Sequence, residues 1–498
     1  MLPNLEPLGV GVTRDVLNRL PEYGSDIRDG INAQSLATIL FLFFACLAPA
    51  IGFGSVLGAA TGGQMGVLEM VASTSLSGVL YALVSAQPVQ LIGPQGPVVA
   101  YIAALYQLAS ILKVPFLPFY AWTGLWSSGF LALFALTSAS NLVQHLTRFT
   151  DEIFSVLVST LFLVQAITDI SSTFSHTAAA PLTALLTLVC ASLTFGTAVT
   201  LKQLPSTRYL TASWRKNLAN FAPAIGVVVG SLTARAARIT WGATLAALEL
   251  PGQFGTSTGR PWWIALTQLP VTARWWAAIP AIMAAMLLYL DQNITARLVN
   301  HPRFCQVKGK RRNVVDGMHG DMLALAGITA LASSLGLPWM CGAPTRSAAH
   351  VRALSKVDDK GKVVGTLENR VSGCMIHALI GMCAIAAQPR QLLAQVPKPV
   401  LSGVFLYLGF TSLQGLEFWD RIRGLAKDVS DTRFATVKRR VVSTFTIAQM
   451  ICVAAMMKVT QSKYGVLSPL LIALLPLARW GIVKAGLVSN EDVQVLDN

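Results

Sequence analysis

The chain has 498 residues, 53% of them apolar and only 12% charged, and a mean hydropathy of +0.57. No water-facing surface of ordinary polarity can be built from that composition, which excludes a soluble multidomain protein, whereas a membrane span needs only ~20 apolar residues. The formal net charge of +15 does not point to nucleic acid, because the Lys and Arg residues stand in short blocks between long apolar runs, as loops between spans do.

In chain order, residues 1–30 form a short polar segment, expected to be cytoplasmic. It has no basic stretch leading into an apolar run, so a cleaved signal peptide is not expected. Candidate spans follow at 34–53, 65–86, 88–111, 118–143, 151–171, 180–200 and 217–234, then at 277–299, 321–337, 339–354, 371–387, 398–413, 441–460 and 464–484. Residues 486–498 form a tail. The expectation is an all-α polytopic membrane protein with fourteen transmembrane segments in two seven-segment halves. The seven cysteines (Cys46, Cys190, Cys305, Cys341, Cys374, Cys383, Cys452) show neither disulfide-framework nor zinc spacing. There is no Walker loop, no His-Glu-x-x-His and no nucleophile elbow, so neither an enzyme nor a cofactor is expected.

Basic residues cluster after even-numbered segments: Lys202, Arg208, Arg215 and Lys216 after the sixth; Arg303, Lys308, Lys310, Arg311 and Arg312 after the eighth; Arg421, Arg423, Lys427, Arg433, Lys438, Arg439 and Arg440 after the twelfth. The positive-inside rule makes that side cytoplasmic, and both termini with it. The plasma membrane is the expected location, with an organellar membrane as the alternative.

The third and tenth segments break the helical pattern. One runs from Gln87-Pro88 through Val89-Gln90-Leu91-Ile92 to Gly93-Pro94-Gln95-Gly96-Pro97, the other from Leu337-Pro338-Trp339-Met340 to Cys341-Gly342-Ala343-Pro344-Thr345-Arg346-Ser347. Proline removes a backbone donor and glycine permits unusual dihedrals. Such backbone survives at membrane depth only when buried in protein or lining a watery cavity. The breaks lie seven segments apart, and an odd number of segments per half inverts the halves, so the pattern predicts an inverted-repeat transporter with its site at the breaks.

Arg346 follows Pro344-Thr345, where a half-helix would begin near the bilayer midplane, a position that costs ~3 kcal/mol on insertion scales. With the positive ends of two half-helices it would form a pocket for a small planar anion; a structural ion pair with a membrane carboxylate is the other reading. The candidate substrate residues are Arg346, Thr345, Pro344, Ala343, Ser347, Gly93, Pro94, Gln95 and Gly96. Asp291 and Thr295 lie four residues apart on one face of the eighth segment, where they would bind a sodium ion, carry a proton or counter Arg346. Glu69 and Lys458 are further intramembrane charges. Lys458 stands close enough to a helix end to snorkel to the interface. His350 lies on the face of Arg346 and reads as hydrogen-bonded rather than as a proton relay, while His319 and Asp321 read as membrane-interface residues.

Several motifs resemble the anion-exchanger and bicarbonate-transporter family, solute carrier family 4, which also includes borate transporters. They include Asp26-Ile27-Arg28-Asp29, Pro49-Ala50-Ile51-Gly52-Phe53-Gly54, Gln64-Met65-Gly66-Val67, Thr150-Asp151-Glu152-Ile153-Phe154-Ser155, Gly336-Leu337-Pro338-Trp339, Thr345-Arg346-Ser347 and Phe418-Trp419-Asp420-Arg421-Ile422. The resemblance implies a core domain (31–145 and 276–390) moving against a gate domain (146–275 and 391–485), dimers through the gate, and transport of bicarbonate, carbonate, chloride or borate. It also implies that Arg346 serves the anion, that Asp291 is the eighth-segment carboxylate, and that Lys458 is modulatory; Glu69, as a buried charge, is also expected to be modulatory. Chloride/bicarbonate exchangers have Glu at the position of Asp291, sodium-coupled members tend to lack the arginine, and Gly93-Pro94-Gln95-Gly96 departs from the exchangers' Gly-Phe-Ser-Gly. The expected function is secondary active transport of a small oxyanion, bicarbonate or carbonate first. A borate exporter is the alternative, and a passive anion channel or a non-conducting scaffold is the reading from another class.

Overall fold

The computed structural model describes residues 7–496 apart from 146–147, 176–180, 249–252, 310–314, 358–362, 415, 426–436, 461, 463–467, 487, 490–491 and 493–495. Lys310, Arg311, Arg312, Lys427 and Arg433, used above for orientation, lie outside the described residues, as do the start of the fourteenth segment and much of the tail.

Two short helices, α1 (Val10–Arg19) and α2 (Tyr23–Arg28), precede α3 (Ala33–Ala60) and α4 (Val67–Val84). A two-residue strand β1 (Ile92–Gly93) leads into α5 (Gly96–Ile111), then α6 (Phe116–Leu136), α7 (Arg148–Ser175), α8 (Pro181–Gln203), α9 (Ala212–Asn220) and α10 (Ala222–Trp241). The second half has α11 (Val271–Trp276), α12 (Ala278–Val299), α13 (Met318–Ser334), the strand β2 (Cys341–Gly342) and α14 (Pro344–Leu354). A hairpin of β3 (Ser355–Val357) and β4 (Val363–Thr366) follows, then α15 (Val371–Ile385), α16 (Ala387–Ala394), α17 (Lys398–Leu413), α18 (Glu417–Leu425), α19 (Arg439–Thr460) and α20 (Ser468–Lys484). Each expected segment has its counterpart, with α9, α11, α16 and α18 as short connecting helices. Seven of the described helices are long and apolar enough to cross a membrane, and nine are if α15–α16 and α17–α18, bent by 79° and 80°, each count as one span. The protein is a multi-pass integral membrane protein.

The expectation of helices alone needs amending at two places. β1 and β2 pair antiparallel, Ile92 with Gly342 and Gly93 with Cys341, so the two broken segments cross each other. The β3–β4 hairpin has no hydropathy signal because it lies in the polar loop after the tenth segment.

Segments divide by packing. α3, α4 and α6 pack with α12, α13, α14 and α15, while α7, α8 and α10 pack with α17 and α19. Close approach is set by small residues: a Cβ on Gly124 of α6 would overlap Ser333 of α13, and one on Gly78 of α4 would overlap the His377 ring of α15. Trp339 is buried, stacks on Tyr120 at 4.5 Å and donates from Nε1 to Ser333 Oγ at 2.8 Å. Tyr120 in turn donates to the Leu337 carbonyl at 2.8 Å. Those contacts pin the extended approach to β2.

Polar groups tie the ends together. Asp15 of α1 accepts from the backbone N–H groups of Gly317, His319 and Gly320 at 3.0, 2.9 and 3.0 Å, occupying the start of α13 where donors are otherwise free. Arg19 bonds Asp26 through Nε at 2.9 Å and Glu368 through Nη1 at 2.9 Å, and Arg370 and Lys308 reach Asp26 at 3.2 and 3.4 Å. Among the gate segments, buried Arg421 pairs with Glu152 and bonds Gln449 Oε1 at 2.7 Å, joining α7, α18 and α19. His319 and Asp321, expected at the membrane interface, are buried beneath this polar cover at 0% and 1% exposure. The reason is that Asp321 accepts from the N–H groups of Ala86 and Gln87, at 2.8 and 3.0 Å, where the chain leaves α4. Residues 254–275 bond to α4 and to the end of α13: Ser257 to Glu69, Ile264 to the Ser334 carbonyl, and Arg260 to Gly336.

Removing one member of a buried ion network costs about 3–5 kcal/mol, because the remaining charges stay buried without compensation. Asp26→Ala should therefore undock α1 and α2, and trypsin should then cut the detergent-solubilised protein at Arg19 or Arg28. A digestion pattern like that of the unaltered protein would show the network to be dispensable.

Candidate functional site

The site grows from the two breaks. Unwound backbone in a membrane needs a partner for every polar group, and here side chains of the opposite half supply many of them. His350 Nδ1 lies 2.6 Å from the Val89 carbonyl, with Nε2 2.8 Å from Ser372 Oγ. Ser347 Oγ both accepts from the Leu91 N–H and donates to the Leu91 carbonyl, each at 3.0 Å, and the Ala343 N–H donates to that carbonyl at 2.9 Å. His377 Nε2 lies 3.1 Å from the Ile92 carbonyl. Arg346 Nη2 donates to the Pro94 carbonyl at 2.7 Å.

From this crossing the half-helices α5 and α14 begin. Gln95 and Ala343 are their N-caps, each in extended conformation and neither making a side-chain cap bond. Their first-turn N–H groups and positive dipole ends are thus left available to an anion. Thr345 is exposed, Gln95, Pro344 and Arg346 are half-buried, and Ala343, Ser347, Gly93, Pro94 and Gly96 are buried. Nη1 of Arg346 is buried and has no hydrogen-bond partner. A Cβ on Gly93 would stand 2.8 Å from that nitrogen, so the missing side chain makes room for the guanidinium. Among the described residues Arg346 makes no ion pair, with Asp291 or with any other carboxylate, so the structural-pair reading of Arg346 finds no partner.

Asp291 is 1% exposed on α12. Its Oδ2 accepts from Cys341 Sγ at 3.3 Å, and its Oδ1 has no partner. Thr295 donates to the Asp291 carbonyl at 2.7 Å, so its hydroxyl proton is used within the helix while its lone pairs remain. The structure therefore joins Asp291, Thr295 and the β1–β2 crossing through Cys341 and Gly342. A Cβ on Gly342 would lie 2.7 Å from Thr295 Oγ1.

Glu69 and Lys458 are not brought to this place. Glu69 is fully buried and accepts from the Gly66 N–H at 2.8 Å and from the Ser257 N–H and hydroxyl at 2.6 and 2.5 Å, so it caps α4 and holds the loop before α11. Lys458 is exposed near the end of α19. His350 is hydrogen-bonded at both nitrogens, as its sequence context suggested.

Sequence reading missed Cys341 as the partner of Asp291, and His377 as the support of β1. It also missed an aromatic trio at the seam: Phe53 of α3 lies 5.3 Å from Phe162 of α7 and 5.6 Å from Phe405 of α17, centroid to centroid. A Cβ on Gly96, at the start of α5, would stand 3.8 to 3.9 Å from Phe53, Val158 and Phe162. The start of α5 thus lies against side chains of both packing groups. The one available signal for Cys341 was its place between Met340 and Gly342 in the tenth-segment break.

The model of the HCO3− transporter integral membrane domain family matches residues 6–181 and 173–498, and the chain belongs to that family. It is 30% identical to human band 3 anion transport protein over 98% of this chain and 56% of that protein. It is 32% identical to the chicken band 3 anion transport protein over 85% and 47%, and 29% identical to zebrafish anion exchange protein 3 over 99% and 44%. The chain spans about half the length of these curated relatives. Among solved structures, the transmembrane domain of the cyanobacterial bicarbonate transporter BicA matches with a TM-score of 0.59 at 15% identity, over 86% of this chain and 96% of that one. The murine Slc26a9 anion transporter in its inward-facing state matches with a TM-score of 0.62 at 13% identity, over 95% and 71%. The fold is the inverted-repeat core and gate architecture shared with those domains.

Two substitutions should behave oppositely. Glu69→Ala leaves the Ser257 and Gly66 donors bare, at a cost of about 1–3 kcal/mol, and should lower the melting temperature while leaving anion affinity unchanged. Gly93→Ala crowds Nη1 and should weaken anion affinity roughly tenfold, about 1.4 kcal/mol, with little change in melting. Bicarbonate-dependent shifts in the melting temperature of the detergent-solubilised protein read both.

Proposed function

We propose that the chain is a secondary active transporter of a small inorganic anion, bicarbonate or carbonate first, working by alternating access. The observation that carries this reading is Nη1 of Arg346, a buried donor on a cation, bare at the meeting of two uncapped helix N-termini. A planar oxyanion fits such a place, since a guanidinium binds it with directed hydrogen bonds and the helix ends add positive potential. Support also comes from the relatives' names: band 3 is an anion transport protein and BicA a bicarbonate transporter.

In this reading the core, residues 31–145 and 276–390, carries the site and moves against the gate, residues 146–275 and 391–485. The hydrogen bonds of residues 254–275 to core segments support the reading that this end of the 146–275 stretch travels with the core. The Phe53, Phe162 and Phe405 cluster is the seam that parts and reforms, because rings packed without hydrogen bonds can slide at small cost. Asp291, with Oδ1 free, couples a sodium ion or a proton to anion movement, with Thr295 beside it. Two copies pair through their gates. Exposed Lys458 acts from the gate as a modulatory charge, and Glu69 modulates transport through the loop it holds rather than through anion binding. Both termini face the cytoplasm, and the plasma membrane is the location.

Arg346→Ala in proteoliposomes should abolish saturable bicarbonate uptake while leaving dimers intact on gel filtration; saturable uptake at the unaltered rate sinks the central claim. Asp291→Asn should remove the dependence of uptake on sodium or on a proton gradient. If that dependence persists, Asp291 is no coupling residue.

A further inference from the structure

Gln90 stands between the start of the third segment and β1, in a run that is otherwise apolar from Val89 to Ile92. Its side chain is 1% exposed, and neither Nε2 nor Oε1 has a hydrogen-bond partner. A buried carboxamide left bare at both ends is costly. The point does not depend on which end is oxygen, since both are bare. The position of the amide is well defined by its neighbours: a Cβ on Gly342 would stand 2.8 Å from Gln90 Nε2 and 2.7 Å from Thr295 Oγ1. The carboxamide therefore converges with Thr295 on the space that Gly342 leaves, beside Cys341 and the Asp291 carboxylate that Cys341 holds.

Among the described residues, the bare buried atoms around the crossing include two donors, Arg346 Nη1 and Gln90 Nε2, and two acceptors, Gln90 Oε1 and Asp291 Oδ1. A halide accepts hydrogen bonds and donates none, so it can satisfy the first pair only. Carbonate shares that limit. A hydroxyl-bearing oxyanion such as hydrogencarbonate offers oxygens to the donors and an O–H to an acceptor. We propose that Gln90 is a specificity-determining residue of the transport site, favouring a hydroxyl-bearing oxyanion over a halide. This rests on the reading of the chain as an anion transporter and names the chemistry by which it selects. Sites built to hydrogen-bond a substrate hydroxyl reject the analogue that lacks it, because their buried polar groups are then left unpaired.

If Gln90 were only packing material, leucine of similar size would serve as well or better, having no polar atom to bury. The test uses the full chain in proteoliposomes, with bicarbonate flux followed by internal pH and chloride flux by a trapped chloride-sensitive dye, each as a function of concentration. Gln90→Leu should lower the bicarbonate-to-chloride selectivity, as a ratio of Vmax/KM values, by about tenfold, with chloride transport falling less than bicarbonate transport. Gln90→Met provides a second apolar shape should the leucine variant fold poorly. An unchanged ratio, or an equal fall for both anions, overturns the role of Gln90 and leaves the anion-transporter reading standing. An unaltered protein that prefers chloride to bicarbonate overturns this inference alone. An unaltered protein that moves neither anion overturns the proposed function and the inference with it.

Discussion

The structure depends on one constraint: backbone that leaves the helix inside a membrane must still satisfy its N–H and C=O groups. Residues 89–94 and 341–343 are such backbone. Their satisfaction comes from across the repeat, with His350 and Ser347 of α14, His377 of α15 and Arg346 each meeting a carbonyl of the third segment. The β1–β2 pair supplies more. Neither broken segment can hold its shape without the other half, so folding the core and building the site are one event. Small residues are needed around the crossing for the same reason. Gly78 admits the His377 ring, Gly93 admits the guanidinium, and Gly342 admits Thr295 and Gln90.

The two halves contribute unequally to what results. α5 offers a helix end without a side-chain charge, and α14 offers a helix end together with Arg346. One of that guanidinium's nitrogens is spent on the Pro94 carbonyl, which fixes its direction, while the other stays bare. Asp291 follows the same logic, with one oxygen held by Cys341 and the other free. Such half-satisfied charged groups are expensive in a low-dielectric surrounding, and that cost is why both are proposed as site residues. Glu69 and His350, equally buried, are hydrogen-bonded within the protein and so hold structure.

Away from the site, ionic groups decide which elements are tied to which. Asp15, Arg19 and Asp26 tie the N-terminal helices to α13 and to Glu368 and Arg370 beside α15, all on the core. Glu69 and Arg260 tie the loop after α10 to the core as well. Arg421 and Glu152 bind gate segments to one another. Between the two groups of segments lies the aromatic trio, whose contacts are without direction. Directional bonds thus lie within each group of segments, and ring contacts without direction lie at the seam.

Much of this was legible in the sequence alone. Apolar runs, proline-glycine breaks and the positions of basic loops are local signals, and they were enough for fourteen segments, two broken ones, an inverted repeat and the prominence of Arg346 and Asp291. What they could not decide was which polar residue meets which partner, because an isolated polar group in an apolar run looks the same whether it caps backbone or faces a ligand. Glu69 was a further intramembrane charge with no partner in view until Ser257, 188 residues along the chain, was seen to occupy it. His377 and Ile92, 285 residues apart, gave no sign of each other, and Gln90 was one glutamine among several. Hydropathy determined where the chain crosses the membrane, since that is set by each segment's own transfer energy. Only tertiary packing decided which buried groups are left bare, since that is set by neighbours the chain brings in from the other half.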